Sequence, residues 1–110
     1  MIYELSIDQD AFNSINKGLK NTIVRLYTED YQRMRPGETL VFRSPQDEIV
    51  RVKITSISIY SDFATLLDTV AFRKIRRRYY ERAEDYLNYL FRCFPKEQRK
   101  KYCAVAISFL

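Results

Sequence analysis

Apolar and polar residues alternate along four stretches of the chain, with the two-residue period of strands that have one buried face. A fifth stretch is almost continuously apolar, which is typical of a central strand covered on both faces. The predicted strands are residues 3–7, 22–27, 39–43, 49–60 and 102–110. In the second strand, Val24 and Leu26 share the face expected to point inward, whereas Ile23, Arg25 and Tyr27 share the other face.

Helical spacing of apolar residues separates these strands in three places. Helices are predicted after Asp8 or Asp10, after Ser61 or Asp62, and over residues 81–94. Aspartate and serine are favoured helix caps because their side chains accept a hydrogen bond from a free backbone N–H group. Gly18 ends the first helix, since glycine adopts positive φ at little steric cost.

The strand over residues 49–60 changes its apolar phase partway along. Val50, Val52 and Ile54 share one face, but the next apolar pair is Ile57 and Ile59, so the alternation slips by one residue. Such a slip predicts a β-bulge near residues 55–56. Bulges bend strands where a small sheet curls. The element order therefore predicts an α+β fold, a small, mainly antiparallel, curled β-barrel flanked by helices, in a single domain of residues 1–110.

The composition excludes several kinds of site. The chain has no histidine, which removes Ser-His and Cys-His dyads and most zinc sites, so neither a metal nor a cofactor is expected. The two cysteines, Cys93 and Cys103, are predicted to be reduced thiols in the core. No apolar run reaches the roughly eighteen residues of a membrane helix, and residues 1–10 lack a signal pattern. A cytoplasmic protein without a membrane partner is therefore expected.

The net charge of +5 is unevenly distributed. Residues 1–70 hold eight Lys and Arg against ten Asp and Glu, whereas residues 71–110 hold eleven against four. A basic excess confined to one part of the chain is typical of proteins that bind polyanions, although a solvated helix face gives the same pattern.

Four stretches, at residues 12–26, 35–42, 52–67 and 102–110, together resemble the ASCH domain family of the PUA-like superfamily. A helix leads into Gly18-Leu19-Lys20 and then Arg25, which resembles the family signature G-x-K-x-x-E-x-R. The other three are the turn and strand of residues 35–42, the passage over 52–67 with Tyr60 before Phe63, and the closing strand over 102–110. The resemblance spans nearly the whole chain.

The resemblance implies a cleft where the signature turn meets the barrel, and an association with RNA. It also implies a second activity, since some small members hydrolyse the amide of N4-acetylated cytidine. This sequence has Ile23 where the family commonly has Glu and where those hydrolases have a Thr nucleophile. An isoleucine side chain can neither attack a carbonyl nor hold a proton, and the adjacent Thr22 points to the opposite face of the strand.

The first candidate site for RNA or another anion combines Gly18, Lys20 and Arg25. Without a glutamate at position 23, Arg25 loses its local partner, and a guanidinium without a carboxylate suits a phosphate. The alternative is an ion pair between Arg25 and one of three carboxylates. These are Glu29, Asp30 and Glu38.

The second candidate is a basic segment that contains tyrosines. Arginines contact phosphates and aromatic rings stack on bases, so this mixture suits RNA. The alternative is a solvated helix face with its apolar residues packed inward. The candidate contacts are Arg73, Lys74, Arg76, Arg77, Arg78 and Tyr80, beside Tyr79 and Arg82.

Two further groups favour structural roles. Tyr60, Ser61 and Asp62 either rim the same cleft or, as the simpler interpretation, begin a helix. A second basic cluster is interpreted as a solvated loop. It comprises Lys96, Arg99, Lys100 and Lys101.

Three functions follow from these patterns. The first is a non-catalytic domain that binds RNA or a nucleotide through a basic cleft. The second is a small hydrolase of a modified nucleoside such as N4-acetylcytidine, with Lys20 as general base or anion holder. The third is a protein-interaction module.

Overall fold

The computed structural model describes residues 1–70 and 82–110. The strands of this part of the chain are β1 (Ile2–Ser6), β2 (Thr22–Leu26), β3 (Thr39–Arg43), β4 (Ile49–Tyr60) and β5 (Ala104–Phe109). Its helices are α1 (Gln9–Asn16), α2 (Glu29–Gln32), α3 (Phe63–Thr69), α4 (Ala83–Cys93) and α5 (Lys96–Lys101).

The strands form one curled sheet in the order β1-β3-β4-β5-β2. Only the β1–β3 pair of this sheet is parallel, and the other three pairs are antiparallel. The predicted α+β class is therefore confirmed. Because β1 and β2 are the two edges of the sheet, the structure is a half-barrel.

The bend predicted in β4 is present. The register of β4 against β5 shifts between Ile54 and Ser56. Strand β4 pairs with β3 from Ile49 to Lys53, and it pairs with β5 from Ile54, just before the shift, to Tyr60. An extra residue at a bulge rotates and bends its strand, so β4 connects the two halves of the curled sheet.

Both faces of β2 are buried, which corrects the expectation of one inward face. Val24 and Leu26 pack with α3 and α4 in one hydrophobic cluster, as expected. Ile23, expected on the opposite side, is only 1% exposed and belongs to a second cluster with Leu40 and Phe42. The period of two residues is correct, but helix α1 and the strands of the other half of the sheet cover the second face.

Two further expectations about residues 93–103 are wrong. The basic cluster predicted as a solvated loop forms helix α5, which Pro95 precedes. Proline is well tolerated at the start of a helix, where its missing N–H group is not needed. Cys93 and Cys103 are free thiols, but both are exposed rather than in the core.

Candidate functional site

A glycine turn after α1 brings the chain back toward the sheet. Gly18 has φ +75°, in the left-handed region. The backbone N–H groups of Leu19 and Lys20 both donate to the carbonyl oxygen of Ser14, at 2.9 and 3.2 Å. These bonds satisfy the end of the helix and direct Lys20 inward, where its side chain is 3% exposed.

Lys20 and Arg25 line the same cavity, of about 210 Å³, which we call the Lys20 cavity. Helix α1, strand β2 and helix α4 form its walls. Its other lining residues are Ser6, Ile7, Asp8, Ala11, Ile15, Ile23, Tyr86, Tyr89, Leu90 and Phe94. The structure thus brings together the two cations that the sequence singled out, whereas Gly18 is not among the lining residues and acts by shaping the turn.

The aromatic wall of the Lys20 cavity was not predicted. It consists of Tyr86, Tyr89 and Phe94, all from α4 or its end. The rings of Tyr86 and Tyr89 are stacked, with centroids 5.9 Å apart and an interplanar angle of 22°. The three- and five-residue steps between these aromatic residues were visible in the sequence, but nothing local linked them to Lys20.

The charge in the cavity is partly balanced. Asp8 also lines it, and one carboxylate oxygen of Asp8 accepts a hydrogen bond from the Ala11 N–H group at 2.7 Å, which caps α1. The Lys20 side chain already takes part in an interaction within the protein, as do those of Asp8, Tyr86 and Tyr89. The lining therefore combines two positive side chains with one negative side chain.

The ion pair considered for Arg25 is not formed in the described part of the chain. The Nη1 atom of Arg25 donates to the carbonyl oxygen of Val24 at 2.8 Å. Glu29 accepts from a tyrosine hydroxyl at 3.0 Å, Asp30 lies 3.9 Å from a neighbouring arginine, and Glu38 lies 3.4 Å from the N-terminal ammonium. Each candidate carboxylate thus has another partner.

Position 23 faces the cavity, as the family signature implies, but offers no reactive group. Ile23 contributes an apolar wall. The hydroxyl of Thr22 is 3.0 Å from the hydroxyl of Ser108 on the paired strand, and Thr22 does not line the cavity. The neighbouring hydroxyl is therefore used in a cross-strand hydrogen bond.

Asp62 begins α3, in agreement with the simpler interpretation of Tyr60, Ser61 and Asp62. One Asp62 carboxylate oxygen accepts from the Thr65 N–H group at 2.8 Å. This hydrogen bond lowers the pKa of the Asp62 carboxyl below its usual value. None of these three residues lines the Lys20 cavity.

A second cavity, of about 300 Å³, lies beside α5, and we call it the α5 cavity. The sequence analysis assigned its cations to a solvated loop and did not foresee it. It is bounded by Leu26, Asp62, Phe63, Ala64, Phe91, Lys96, Arg99, Lys100, Tyr102 and Ala104. Most of its floor is apolar, whereas its basic residues all come from α5.

The basic segment proposed as a nucleic-acid contact falls outside the described residues. This applies to Arg73, Lys74, Arg76, Arg77, Arg78 and Tyr80, and to Tyr79. Arg82 is described, and its guanidinium lies 2.8 Å from the Glu84 carboxylate at the exposed start of α4. At Arg82, this exposed ion pair agrees with the alternative interpretation of the basic segment, a helix face in contact with solvent.

Comparison with known proteins identifies the family. The model of the ASCH domain matches residues 5–110. The chain belongs to the ASCH domain family. This result confirms the resemblance seen in the sequence and makes the chain a PUA-like domain of the RNA-binding type. Curated proteins gave no match.

Two solved structures share the fold along nearly their whole length. The crystal structure of the hypothetical protein PH0355 has a TM-score of 0.87 and 25% identity, covering 99% of this chain and 97% of that one. The solution structure of PF0455 from Pyrococcus furiosus has a TM-score of 0.77 and 23% identity, covering 99% and 96%. The half-barrel and its helices are thus a recurrent arrangement.

Residues 1–70 and 82–110 contain neither a cluster of metal ligands nor a helix that could span a membrane. No group of three or more Cys, Asp or Glu side chains there is placed to hold a metal ion. Across the same residues, every helix is too short or too polar to cross a bilayer.

Proposed function

We propose that this ASCH domain binds RNA or a nucleotide at the Lys20 cavity without catalysing a reaction. The observation that carries the proposal is the meeting of Lys20, Arg25 and the aromatic side chains of α4 around one cavity. Cations attract the phosphate of a nucleotide, and aromatic rings stack on its base.

Arg25 is the residue best suited to the phosphate. In the described residues, no carboxylate lies within ion-pair distance of it, and its hydrogen bond to the Val24 carbonyl holds one edge of the guanidinium. A guanidinium can grip phosphate with two parallel hydrogen bonds, whereas an ammonium acts as a point charge. Arg25 would therefore orient the phosphate, and Lys20 would add attraction from deeper in the cavity.

The size of the cavity limits what enters it. Its volume of about 210 Å³ lies below the roughly 300–1,000 Å³ of pockets that enclose a drug-sized ligand. A single base or phosphate suits this space, and the rest of an RNA would lie across the outer surface. In this proposal, the positive charge of residues 73–78 adds to the attraction of the RNA.

Ile23 favours binding over hydrolysis. The position faces the cavity but carries only methyl and methylene groups, and the Thr22 hydroxyl is bonded to Ser108. We therefore expect no release of acetate from N4-acetylcytidine. Acetate release that disappears in Lys20→Met, which removes the ammonium but keeps an unbranched side chain, would instead establish the hydrolase.

Binding is tested by filter retention of a pool of short single-stranded RNAs at rising salt. We expect the logarithm of the binding constant to fall linearly with the logarithm of the salt concentration, with a slope of about −0.7 for each phosphate neutralised. Arg25→Gln should weaken binding by about tenfold, because it removes a charge-assisted hydrogen bond.

The matched control removes the same charge from a remote strand. Arg51 is exposed on β4 and lines neither cavity. Arg51→Gln should therefore bind nearly as well as the unmodified protein. Equal losses in the Arg25 and Arg51 variants would contradict a defined site, and the absence of salt-sensitive binding at micromolar protein would contradict the function itself.

A further inference from the structure

We infer that the α5 cavity is a second nucleotide site, which takes another nucleotide of the same RNA strand. The inference rests on the proposed function and extends it to this second cavity, which has a volume of about 300 Å³. Three features carry it: a stacked arginine and aromatic pair, three cations, and a wall shared with the Lys20 cavity.

The stacked pair is Arg99 and Phe91. The guanidinium carbon of Arg99 lies 4.2 Å from the centroid of the Phe91 ring. The Nε atom of Arg99 also donates to the carbonyl oxygen of Phe94 at 2.9 Å, so the guanidinium is held in place. Phe91 is 40% exposed despite its large ring. Unpaired bases stack on aromatic rings and on guanidinium planes, and this cavity presents both.

Within residues 1–70 and 82–110, the cations that line the α5 cavity form no ion pair. Among the described residues, no carboxylate lies within ion-pair distance of Lys96, Arg99 or Lys100. Asp62, the acidic lining residue, has its carboxylate bonded to a backbone N–H group at the start of α3. A ligand here therefore needs both a flat apolar part and an anionic part, and a nucleotide has both.

The two cavities adjoin each other. Phe63 lines the α5 cavity and Phe94 lines the Lys20 cavity, and their ring centroids are 5.4 Å apart. On β2, Leu26 borders the α5 cavity and Arg25 borders the Lys20 cavity. Because neighbouring residues of a strand point to opposite faces, the two cavities lie on the two sides of the edge strand β2, and the contact between Phe63 and Phe94 joins their walls. One strand of RNA would pass around this edge from one site to the other.

Fluorescence anisotropy with a labelled ten-nucleotide single-stranded RNA tests the second site. The double variant Lys96→Gln/Lys100→Gln removes two exposed charges from the cavity. We expect it to reduce the salt slope by about 1.4, which corresponds to two lost phosphate contacts. Phe91→Leu keeps an apolar side chain but loses the ring, and should weaken binding about fivefold or more.

The matched control is Arg51→Gln/Lys53→Gln, which removes two exposed charges from β4. If this variant and the α5 variant behave alike while Arg25→Gln still weakens binding, the second site is wrong and the first one stands. If the unmodified protein shows no salt-sensitive binding, both proposals are wrong. If sedimentation shows self-association that Phe91→Leu abolishes, the cavity is instead an interface between copies of the chain.

Discussion

Lys20 is the least expected residue in this fold, because a lysine is rarely buried unless it has a partner. Its side chain is 3% exposed and engaged within the protein. The backbone of the preceding turn places it there, since Gly18 reverses the chain with φ +75°. The position of the cation thus depends on a glycine that does not line the cavity itself.

The first prediction concerns this turn. A Cβ atom built at Gly18 meets nothing within 4 Å, so a substitution is opposed only by its backbone conformation. Gly18→Ala should lower the free energy of unfolding by about 1 kcal/mol, and Gly18→Asn by less, because asparagine tolerates positive φ better than alanine. Urea unfolding measures both values.

Lys17→Ala serves as the matched control for the turn. Lys17 precedes the glycine and has an ordinary φ of −86°. An exposed substitution without backbone strain should change stability by no more than about 0.5 kcal/mol. If alanine and asparagine at Gly18 destabilise equally, positive φ is not the cause.

Among the elements, α3 shows how a short helix is stabilised. It has seven residues, fewer than an isolated helix needs to persist in water. Two interactions stabilise the helix: the hydrogen bond of the Asp62 cap at its start, and the burial of Phe63, Leu66 and Leu67. The cap also fixes the start of α3 shortly after the end of β4, and the first residues of α3 line the α5 cavity.

The second prediction follows from the Asp62 cap. Asp62→Ala should lower the free energy of unfolding by about 1 kcal/mol near neutral pH, whereas Asp62→Asn keeps an acceptor and should lose less. The Thr65 N–H group lowers the pKa of Asp62 from 3.8, so the ionised carboxylate stabilises the folded state. This contribution is complete above that value and is lost as the pH falls through the lower folded-state pKa.

Urea unfolding of the native chain and Asp62→Asn at several pH values measures the effect. Other groups titrate alike in both proteins, so the difference between them isolates this carboxyl. The native chain should lose stability relative to the asparagine variant below pH 3.8. A difference that stays constant down to the acid transition would contradict the role of the ionised cap.

Residues 1–70 and 82–110 form two hydrophobic clusters, and the neighbouring strands β2 and β5 contribute side chains to both. Along β5, Ala104 and Ala106 contact the cluster beside α3 and α4, whereas Val105 and Ile107 contact the cluster inside the curled sheet. Strand β5 also pairs with β2 on one side and with β4 on the other. Loss of either cluster would therefore remove support from the other.

The third prediction is that the two clusters unfold together. Leu66→Ala, in the first cluster, should cost about 2–5 kcal/mol, and Ile107→Val, in the second, about 1 kcal/mol. Each change should move the whole urea curve, with far-ultraviolet circular dichroism and tyrosine fluorescence remaining coincident. A variant that shifts only part of the signal would show that the clusters are independent units.

Much of this architecture follows from interactions between residues close in the chain. The caps of α1 and α3, the turn at Gly18, the bounds of β3 and β4, and the bulge in β4 were all predicted from the sequence. Hydrogen-bonding caps, positive φ and alternating side chains are properties of a few consecutive residues, so a local pattern carries them.

Burial and cavities required the folded chain. The sequence paired Lys20 with Arg25, but it did not show that Ile23 is core, that α4 supplies aromatic rings to their cavity, or that the basic residues after Pro95 form a helix beside a second cavity. Each of these depends on side chains distant in sequence that pack against one another. No periodicity within a single strand reports what covers its outer face.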